Sequence, residues 1–326
     1  MQTRTLGRSQ IQVSAIGCGT NTIGGLVWDA AVRRNLPVGY GDVDQAEALH
    51  AIQRAVELGV TFFDTADEYG CGQSECLLGE ALRGKRHQVI IASKFGYTFD
   101  EASRTITGTD ASTAYIRQAC EASLRRLQST YIDLYQFHLR DYPLEKAAEV
   151  LQTLEELVGE GKVRYYGWST DDPDRARFFA QGEHCVAVQH RLNLLLDAPA
   201  MLALCDQLDL ASINRIPLLM GVLSGKFSSP IQLPAKDIRS EYFKHQQFFE
   251  DLKRVEALKD TLTAHGHTLP QAALAWILAR HSRAIPIPGF RNTRQVEENA
   301  KTIELGPLSQ EQMRRIEEIL DRCPSE

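Results

Sequence analysis

Apolar positions along the chain follow two alternating rhythms. Short runs rich in Val, Ile, Phe and Tyr are each followed by a longer stretch with apolar residues at i, i+3, i+4 and i+7. The runs predict strands at 15–19, 61–65, 89–93, 131–138, 163–169, 185–189, 210–216 and 284–288. The longer stretches predict helices at 44–59, 74–84, 113–128, 144–162, 172–182, 198–208, 269–281 and 293–302, with Gly or Pro at many ends. Leu49, Ile52 and Val56, for instance, share one helical face. Eight strand-then-helix units are the count of an α/β protein built as a (β/α)8 TIM barrel.

Several segments lie outside these units. Residues 3–14 read as an N-terminal β-hairpin turning at 7–10, and 249–266 and 309–322 read as two extra helices. Long loops follow the first strand (23–42) and the seventh (224–247); loops of that length on a barrel usually carry function. No linker divides the chain, so residues 1–326 are expected to form a single domain. A doubly wound dinucleotide fold is disfavoured. Gly17 and Gly19 begin a G-x-G-x-x-G pattern, but Thr22 stands where its third glycine belongs.

Bulk composition narrows the partners. A chain with 43% hydrophobic and 24% charged residues has material for a sizeable core. A net charge of −6, with Lys and Arg spread along the sequence, argues against a surface for nucleic acid or an anionic membrane. The seven cysteines form no CxxC pair and are expected as reduced thiols; Cys71, two residues beyond Tyr69, is the one nearest the candidate chemistry. No metal site is expected. The N-terminus lacks a signal pattern and no apolar run reaches the length of a membrane span, so a cytoplasmic location is expected. Oligomeric state is not readable.

The chemistry gathers at strand ends. The second strand ends at Asp64 and its loop carries Tyr69; the third ends at Lys94 and the fourth at His138. On a barrel these would meet at one mouth. A Tyr with a pKa near ~10 is a poor acid at neutral pH. A nearby ammonium is expected to lower that value, a carboxylate to hold the Lys charged, and an imidazole to orient a carbonyl. Asp64, Tyr69, Lys94 and His138 together make a proton donor for carbonyl reduction, or the base for the reverse oxidation. Asp67 and Glu68, between them in sequence, read as solvated turn residues.

These segments resemble the aldo-keto reductase family. "FFDTADEYGCGQSE" is similar to its F-D-T-A-x-x-Y-G-x-G-x-S-E segment, while "SKFG" and "YIDLYQFHLRD" resemble those carrying its Lys and His. "GKVRYYGWST", "RIPLLMGVLSGKF" and "IPIPGFRNTRQVEENAKT" resemble three further family segments, in the expected order, to about residue 305. The likeness is to the bacterial and channel-β-subunit-like branch. It implies a barrel that binds NADPH in an extended pose across the strand ends, with Asp64, Tyr69, Lys94 and His138 as its catalytic tetrad. Gly19, Thr20 and Asn21 would lie beside the nicotinamide ribose, Asp64 would also touch the cofactor, and Ser169 and Gln189 would meet the carboxamide. Pro217, Leu218, Gly221, Leu223, Ser224, Gly225 and Lys226 would wrap the pyrophosphate. Gly289, Arg291, Gln295, Glu298 and Asn299 would hold the adenosine end.

A helix opening after the eighth strand offers its N-terminal amides to phosphate, and Arg291 and Arg294 add charge for a 2′-phosphate. NADP(H) is therefore expected over NAD(H). Two positions depart from the family: Thr170 replaces the Asn that follows the fifth-strand Ser, and Arg215 replaces an aromatic that stacks on the nicotinamide. A guanidinium there can stack, and its charge should disfavour NADP⁺ relative to NADPH.

Two other functions compete with a carbonyl reductase. One is an NADPH-binding regulatory protein with little turnover; the other is a Schiff-base aldolase working through Lys94, which would need a neutral amine. Trp28, Phe95, Tyr97 and Arg140 are candidate walls of a pocket for a small carbonyl substrate whose identity the sequence leaves open.

Overall fold

The computed structural model describes residues 2–29, 37–227, 237 and 239–322. Parts of the two long loops (30–36, 228–236 and 238) and Cys323 lie outside the described residues. The chain opens with an antiparallel hairpin, β1 (Thr3–Thr5) and β2 (Gln12–Ser14), and enters the barrel at β3 (Cys18–Gly19). The loop after it carries β4 (Val27–Asp29) and β5 (Pro37–Val38) before α1 (Gln45–Glu57). Next come β6 (Phe62–Asp64), α2 (Gln73–Ala81) and β7 (Ile90–Phe95). A second hairpin, β8 (Tyr97–Asp100) and β9 (Thr105–Thr109), precedes α3 (Thr113–Arg126). The alternation resumes with β10 (Ile132–Phe137), α4 (Ala147–Gly159), β11 (Val163–Ser169) and α5 (Pro173–Phe179). β12 (Cys185–Arg191), α6 (Pro199–Leu208) and β13 (Ala211–Arg215) continue it. The last part runs α7 (Arg239–Tyr242), α8 (Gln246–Thr263), α9 (Leu269–Arg280), β14 (Ala284–Pro286), α10 (Thr293–Leu305) and α11 (Gln310–Ile319).

The eight strands β3, β6, β7, β10, β11, β12, β13 and β14 form one sheet in that order, every neighbouring pair parallel. The sheet closes on itself. Gly17 and Gly19 donate their amides to the carbonyls of Pro286 and Pro288 at 2.9 and 3.0 Å, and Gly19 pairs in parallel with Gly289. The two prolines lend carbonyls and no amides, so the ladder is short at this seam, and both end strands are shorter than the sequence predicts. The expected barrel, hairpin and extra helices are present, the last as α8 and α11.

Apolar burial occurs in layers. Phe62, Ala92, Leu134, Val186, Ile213 and Ile285 pack together with Leu6 and Val13 of the N-terminal hairpin, which plugs one end of the barrel. The hairpin sits tightly: a Cβ on Gly7, at φ 51°, would lie 2.1 Å from the Val186 carbonyl oxygen. A larger layer joins the outer face of the strands to α1 and the helices that follow, with Phe95, Phe137, Trp168 and Phe179 stacked through it. Several helices start with side-chain caps; the side chains of Asp44, Ser112, Asn292 and Ser309 each accept an amide of the first turn.

One sheet has no counterpart in the sequence reading. β5, β4, β9 and β8 form a four-stranded sheet in which β4 runs parallel to β9. It ties the first and third strand-to-helix loops together beside the barrel mouth. Among the described residues no helix is long and apolar enough to cross a membrane.

Candidate active site

Strand parity decides what faces the barrel axis. Along β7, Lys94 points inward and Phe95 outward, because successive side chains alternate. Lys94 is fully buried and its Nζ donates three hydrogen bonds: to Asp64 Oδ1 at 2.6 Å, the Thr65 carbonyl at 2.7 Å and the Tyr69 hydroxyl at 3.0 Å. Three donors with three acceptors describe an ammonium. The other Asp64 oxygen accepts from Gln136 Nε2 at 3.0 Å and Gln189 Nε2 at 2.7 Å. Gln136, on β10, escapes the sequence reading; the signal for it is a polar residue two positions after Leu134, which packs in the barrel interior, so that it too points inward. His138 follows β10, its amide bonded to the Phe95 carbonyl, and its ring lies edge-on to Tyr69 with centroids 6.0 Å apart. The four sequence-predicted groups therefore meet at one mouth.

Their electrostatics differ from expectation in one respect. Tyr69 is held well above the ordinary phenol range, not below it. Burial is the largest cause, and Asp64 and Glu68 add to it, outweighing the nearby cations. The phenol therefore keeps its proton. Burial also pulls Lys94 down, opposed by Asp64, and holds His138 well below its usual value, helped by Lys94, Arg140 and Arg215. The imidazole is neutral.

The loop bearing Tyr69 is braced on both sides. A Cβ on Gly70, at φ 66°, would fall 1.9 Å from the Gly24 carbonyl oxygen, and one on Gly24 would strike the Tyr69 backbone. The two glycines let the first loop lie directly on the second. Thr20 is fully buried; its hydroxyl donates to the Asp64 carbonyl and accepts from Ser74, so it braces the loop with its side chain. Asp67 and Glu68 are not solvated. Asp67 is 1% exposed; neither carboxyl oxygen has a well-formed hydrogen bond, although the Glu68 amide is near enough to favour its charge. The turn folds back over the mouth, which carries both acids inward. Cys71 is buried and its thiol is pushed up to about 12, chiefly by burial, so it is unreactive.

The residues matched to a dinucleotide form a track along the strand ends. Ser169 is buried and its Oγ has no partner, the kind of orphan that a carboxamide would satisfy. Beside it Gln189 commits its amide nitrogen to Asp64 and Gln136, leaving its carbonyl oxygen for a ligand. Thr170 turns away, donating to the Arg140 carbonyl and accepting from the Asp172 amide. Arg215 Nη2 donates to Asp171 Oδ2 at 2.5 Å, and Arg191 Nε bonds the same oxygen at 2.8 Å. After Pro217 and Leu218, residues Leu219–Ser224 form a tight turn with Met220 and Gly221 at positive φ. Within it Leu223 is buried in the apolar layer under α8 and α9, Ser224 Oγ donates to the Gly221 carbonyl, and Gly225 and Lys226 are exposed.

Asn21, next to Thr20 at the mouth, is exposed; at the far end Gly289 lies against Thr22, whose hydroxyl donates to the Phe290 carbonyl at 2.5 Å. Gln295 Oε1 accepts the Arg291 amide, Asn299 is buried, and Glu298 is half-buried. Arg291 donates to the carbonyls of Tyr40 and Asp42, and Arg294 is exposed. Sequence reasoning missed Glu47 here. From α1 its Oε1 accepts the Thr293 amide and hydroxyl at 2.7 and 2.9 Å, placing a carboxylate on the first turn of α10.

Of the candidate pocket walls, Phe95 is excluded. It is fully buried between Tyr135 and Phe137, on the outward side of β7. Tyr97 stands edge-on to His138 with centroids 5.5 Å apart, and Trp28 is 40% exposed on β4. Arg140 lines an open cleft of about 500 Å³ with Asp141, Asp171, Asp172, Arg175 and Arg191.

Known proteins are similar to this chain in sequence and fold. The sequence model of the Aldo/keto reductase family matches residues 15–321. A Schizosaccharomyces pombe protein described as aldo-keto reductase yakc [NADP(+)] is 30% identical over 87% of this chain and 85% of its own. The NADH-specific methylglyoxal reductase of Escherichia coli is 28% identical over 97% and 98% of the two chains. A crystal structure of an aldo-keto reductase from Klebsiella pneumoniae in complex with NADPH superposes with a TM-score of 0.72 at 27% identity, over 100% of this chain and 98% of that one. The chain belongs to the aldo/keto reductase family, as an oxidoreductase of carbonyl compounds that depends on a nicotinamide cofactor.

Proposed function

We propose that this chain reduces an aldehyde or ketone to an alcohol with Tyr69 as the proton donor, and that it prefers NADP(H) to NAD(H). The carrying observation is the bond from Lys94 Nζ to the Tyr69 hydroxyl. Because the ammonium donates, the phenol's own proton is free to point out of the cluster towards a carbonyl oxygen. Asp64 fixes Lys94, and Gln136 and Gln189 fix Asp64. A nicotinamide cofactor, when bound, would supply the hydride to the carbonyl carbon. Ser169, Gln189 and Arg215 would hold its nicotinamide end, the 217–226 turn its pyrophosphate, and 289–299 its adenosine. Lys94 has no free lone pair for a Schiff base while its three protons are engaged, which argues against an aldolase.

Arg291 and Arg294 support the preference for the phosphorylated cofactor; Glu47 opposes it. The eight strands in one closed sheet support a single domain over residues 1–326, and the six described cysteines, all free, support a cytoplasmic location. The test is Tyr69→Phe, measured as NADPH oxidation over a panel of small carbonyls and as NADPH affinity by fluorescence titration. A general acid contributes about 10²–10⁴-fold, so reduction should fall by that factor with cofactor affinity unchanged. Full activity in the variant overturns the mechanism; no turnover by the unaltered protein on any carbonyl, with NADPH bound, favours a regulatory role.

A further inference from the structure

Glu68 occupies a place that the tetrad does not explain. Its Oε1 lies 3.4 Å from His138 Nδ1, with side-chain exposures of 18% and 14%. The two atoms are close but not aligned as a hydrogen bond, and Nδ1 is buried with no other partner. A buried ring nitrogen left in this way needs a partner, and Glu68 is the one within reach among the described residues. Tyr69 and Tyr97 stand edge-on to the imidazole and fix its plane. With Nδ1 turned to the carboxyl, Nε2 is the nitrogen left for a substrate.

Resting on the reading of the tetrad given above, we propose that Glu68 is a positioning residue that acts through His138, its carboxyl setting which imidazole nitrogen carries the proton. A protonated Glu68 donates to Nδ1, which leaves the hydrogen on Nε2, where it can donate to a carbonyl oxygen. An ionised Glu68 accepts from Nδ1–H, which leaves a lone pair on Nε2, where it can accept from an alcohol hydroxyl. The first state suits reduction and the second suits oxidation. No proton is gained or lost by the ring itself; it moves between the two nitrogens as the carboxyl exchanges one proton with solvent.

The surrounding charges allow both states. The groups acting on Glu68 are Lys94 from β7, Arg140 from the loop after β10, and Asp29 from β4; its own charge is felt by Tyr69, Cys71, Asp67 and Tyr97. Burial and Asp29 raise the carboxyl to about 7 against the pull of Lys94 and Arg140. Those same two cations, with Arg215, disfavour an imidazolium, so the proton shared by the pair rests on the carboxyl and not on the ring. The switch between tautomers then falls near neutral pH.

The experiment uses the full chain with saturating NADP⁺ and ¹⁵N-labelled histidine, the His138 signals being assigned by their loss in His138→Gln. In the unaltered protein the ring should pass from the Nε2–H form at pH 5.5 to the Nδ1–H form at pH 8.5. In Glu68→Met the tautomer should not change with pH. In kinetics, reduction kcat/KM in the unaltered protein should fall by up to about tenfold per pH unit above the midpoint while oxidation kcat/KM levels off there; in Glu68→Met neither profile should break at that pH, with Glu68→Asp restoring part of the break. If Glu68→Met does not fold, Glu68→Gln serves, since an amide cannot ionise and its pH break must also vanish. A single tautomer across the pH range in the unaltered protein, or the same switch in the variants, overturns the proposal. Because the nitrogen signals do not require turnover, a failure here is distinct from an active Tyr69→Phe, which would overturn the tetrad.

Discussion

Arg215 ends β13 where the resemblance to the family implies an aromatic stacked on the nicotinamide, and its charge is not unopposed. Asp171 takes its Nη2 at 2.5 Å and also binds Arg191, so the carboxylate lies between two guanidinium groups. Burial and the repulsion of Arg140 and Arg191 lower Arg215, while Asp171 holds it charged. Any discrimination against the cationic nicotinamide is therefore weaker than a lone arginine would give. Asp171→Asn should unmask the charge and weaken NADP⁺ binding relative to NADPH by roughly fivefold, about 1 kcal/mol for a charge at several ångströms in a half-buried site. Arg215→Tyr should shift the ratio the opposite way. Fluorescence titration with both cofactors checks this, and an unchanged ratio in both variants removes Arg215 from the nicotinamide's surroundings. The arginine was legible in the sequence from a family position. Its carboxylate was not, because Asp171 lies 44 residues away on another strand's loop and nothing in their spacing couples them.

At the level of elements, α1 and α10 meet through their first turns. Asn292 caps α10 through the Gln295 amide, and Glu47, reaching from α1, takes the Thr293 amide and hydroxyl. Those hydrogen bonds hold the Glu47 carboxylate below its usual range, so it stays charged at neutral pH. A helix N-terminus favours an anion, and here the protein supplies one. A 2′-phosphate on the adenosine side would have to displace or repel it. Glu47→Gln should thus improve NADP(H) relative to NAD(H), by about 3–10-fold in the ratio of dissociation constants at low salt and less at high salt. No change, with both cofactors bound as before, would place the phosphate elsewhere. The helices and barrel strands could be read from periodicity because each buries a long face. The β4–β5–β8–β9 sheet could not: its strands are two to five residues long, partly polar and drawn from separate loops. That same sheet carries Tyr97 and Asp29 to the mouth, so the unread element shapes the substrate side. Phe95 was misplaced for a related reason: it adjoins Lys94 in sequence, and strand parity sends the two side chains to opposite faces.

For the whole molecule, the buried acids of the Tyr69 loop set how stability responds to pH. Asp67 is raised well above the usual carboxylate value, mainly by burial and the charge of Glu75, with Arg126 opposing. Glu68 is raised to about 7, mainly by burial. An acid whose folded value lies above its unfolded value binds its proton more tightly when folded, so the folded state is favoured at low pH and loses that advantage as pH rises. For Glu68 the loss falls between about 4.5 and about 7; for Asp67 it begins near 3.8 and ends above it. His138 opposes them below about 6.5, where its depressed value makes the folded state bind fewer protons than the unfolded chain. Asp67→Asn removes one of the two acidic contributions without changing shape, and both of its carboxyl oxygens lack well-formed bonds to lose. The variant should melt at the same temperature as the unaltered protein near pH 4 and roughly 1.5–4.5 °C higher near pH 8, for a gain of about 1–3 kcal/mol. Calorimetric melts across that range, with cofactor absent so that binding does not add its own stabilisation, decide the matter. A variant that melts lower at pH 8 would mean that Asp67 is ionised and paired in the folded protein, and that the site holds one more negative charge beside Lys94 than this account allows.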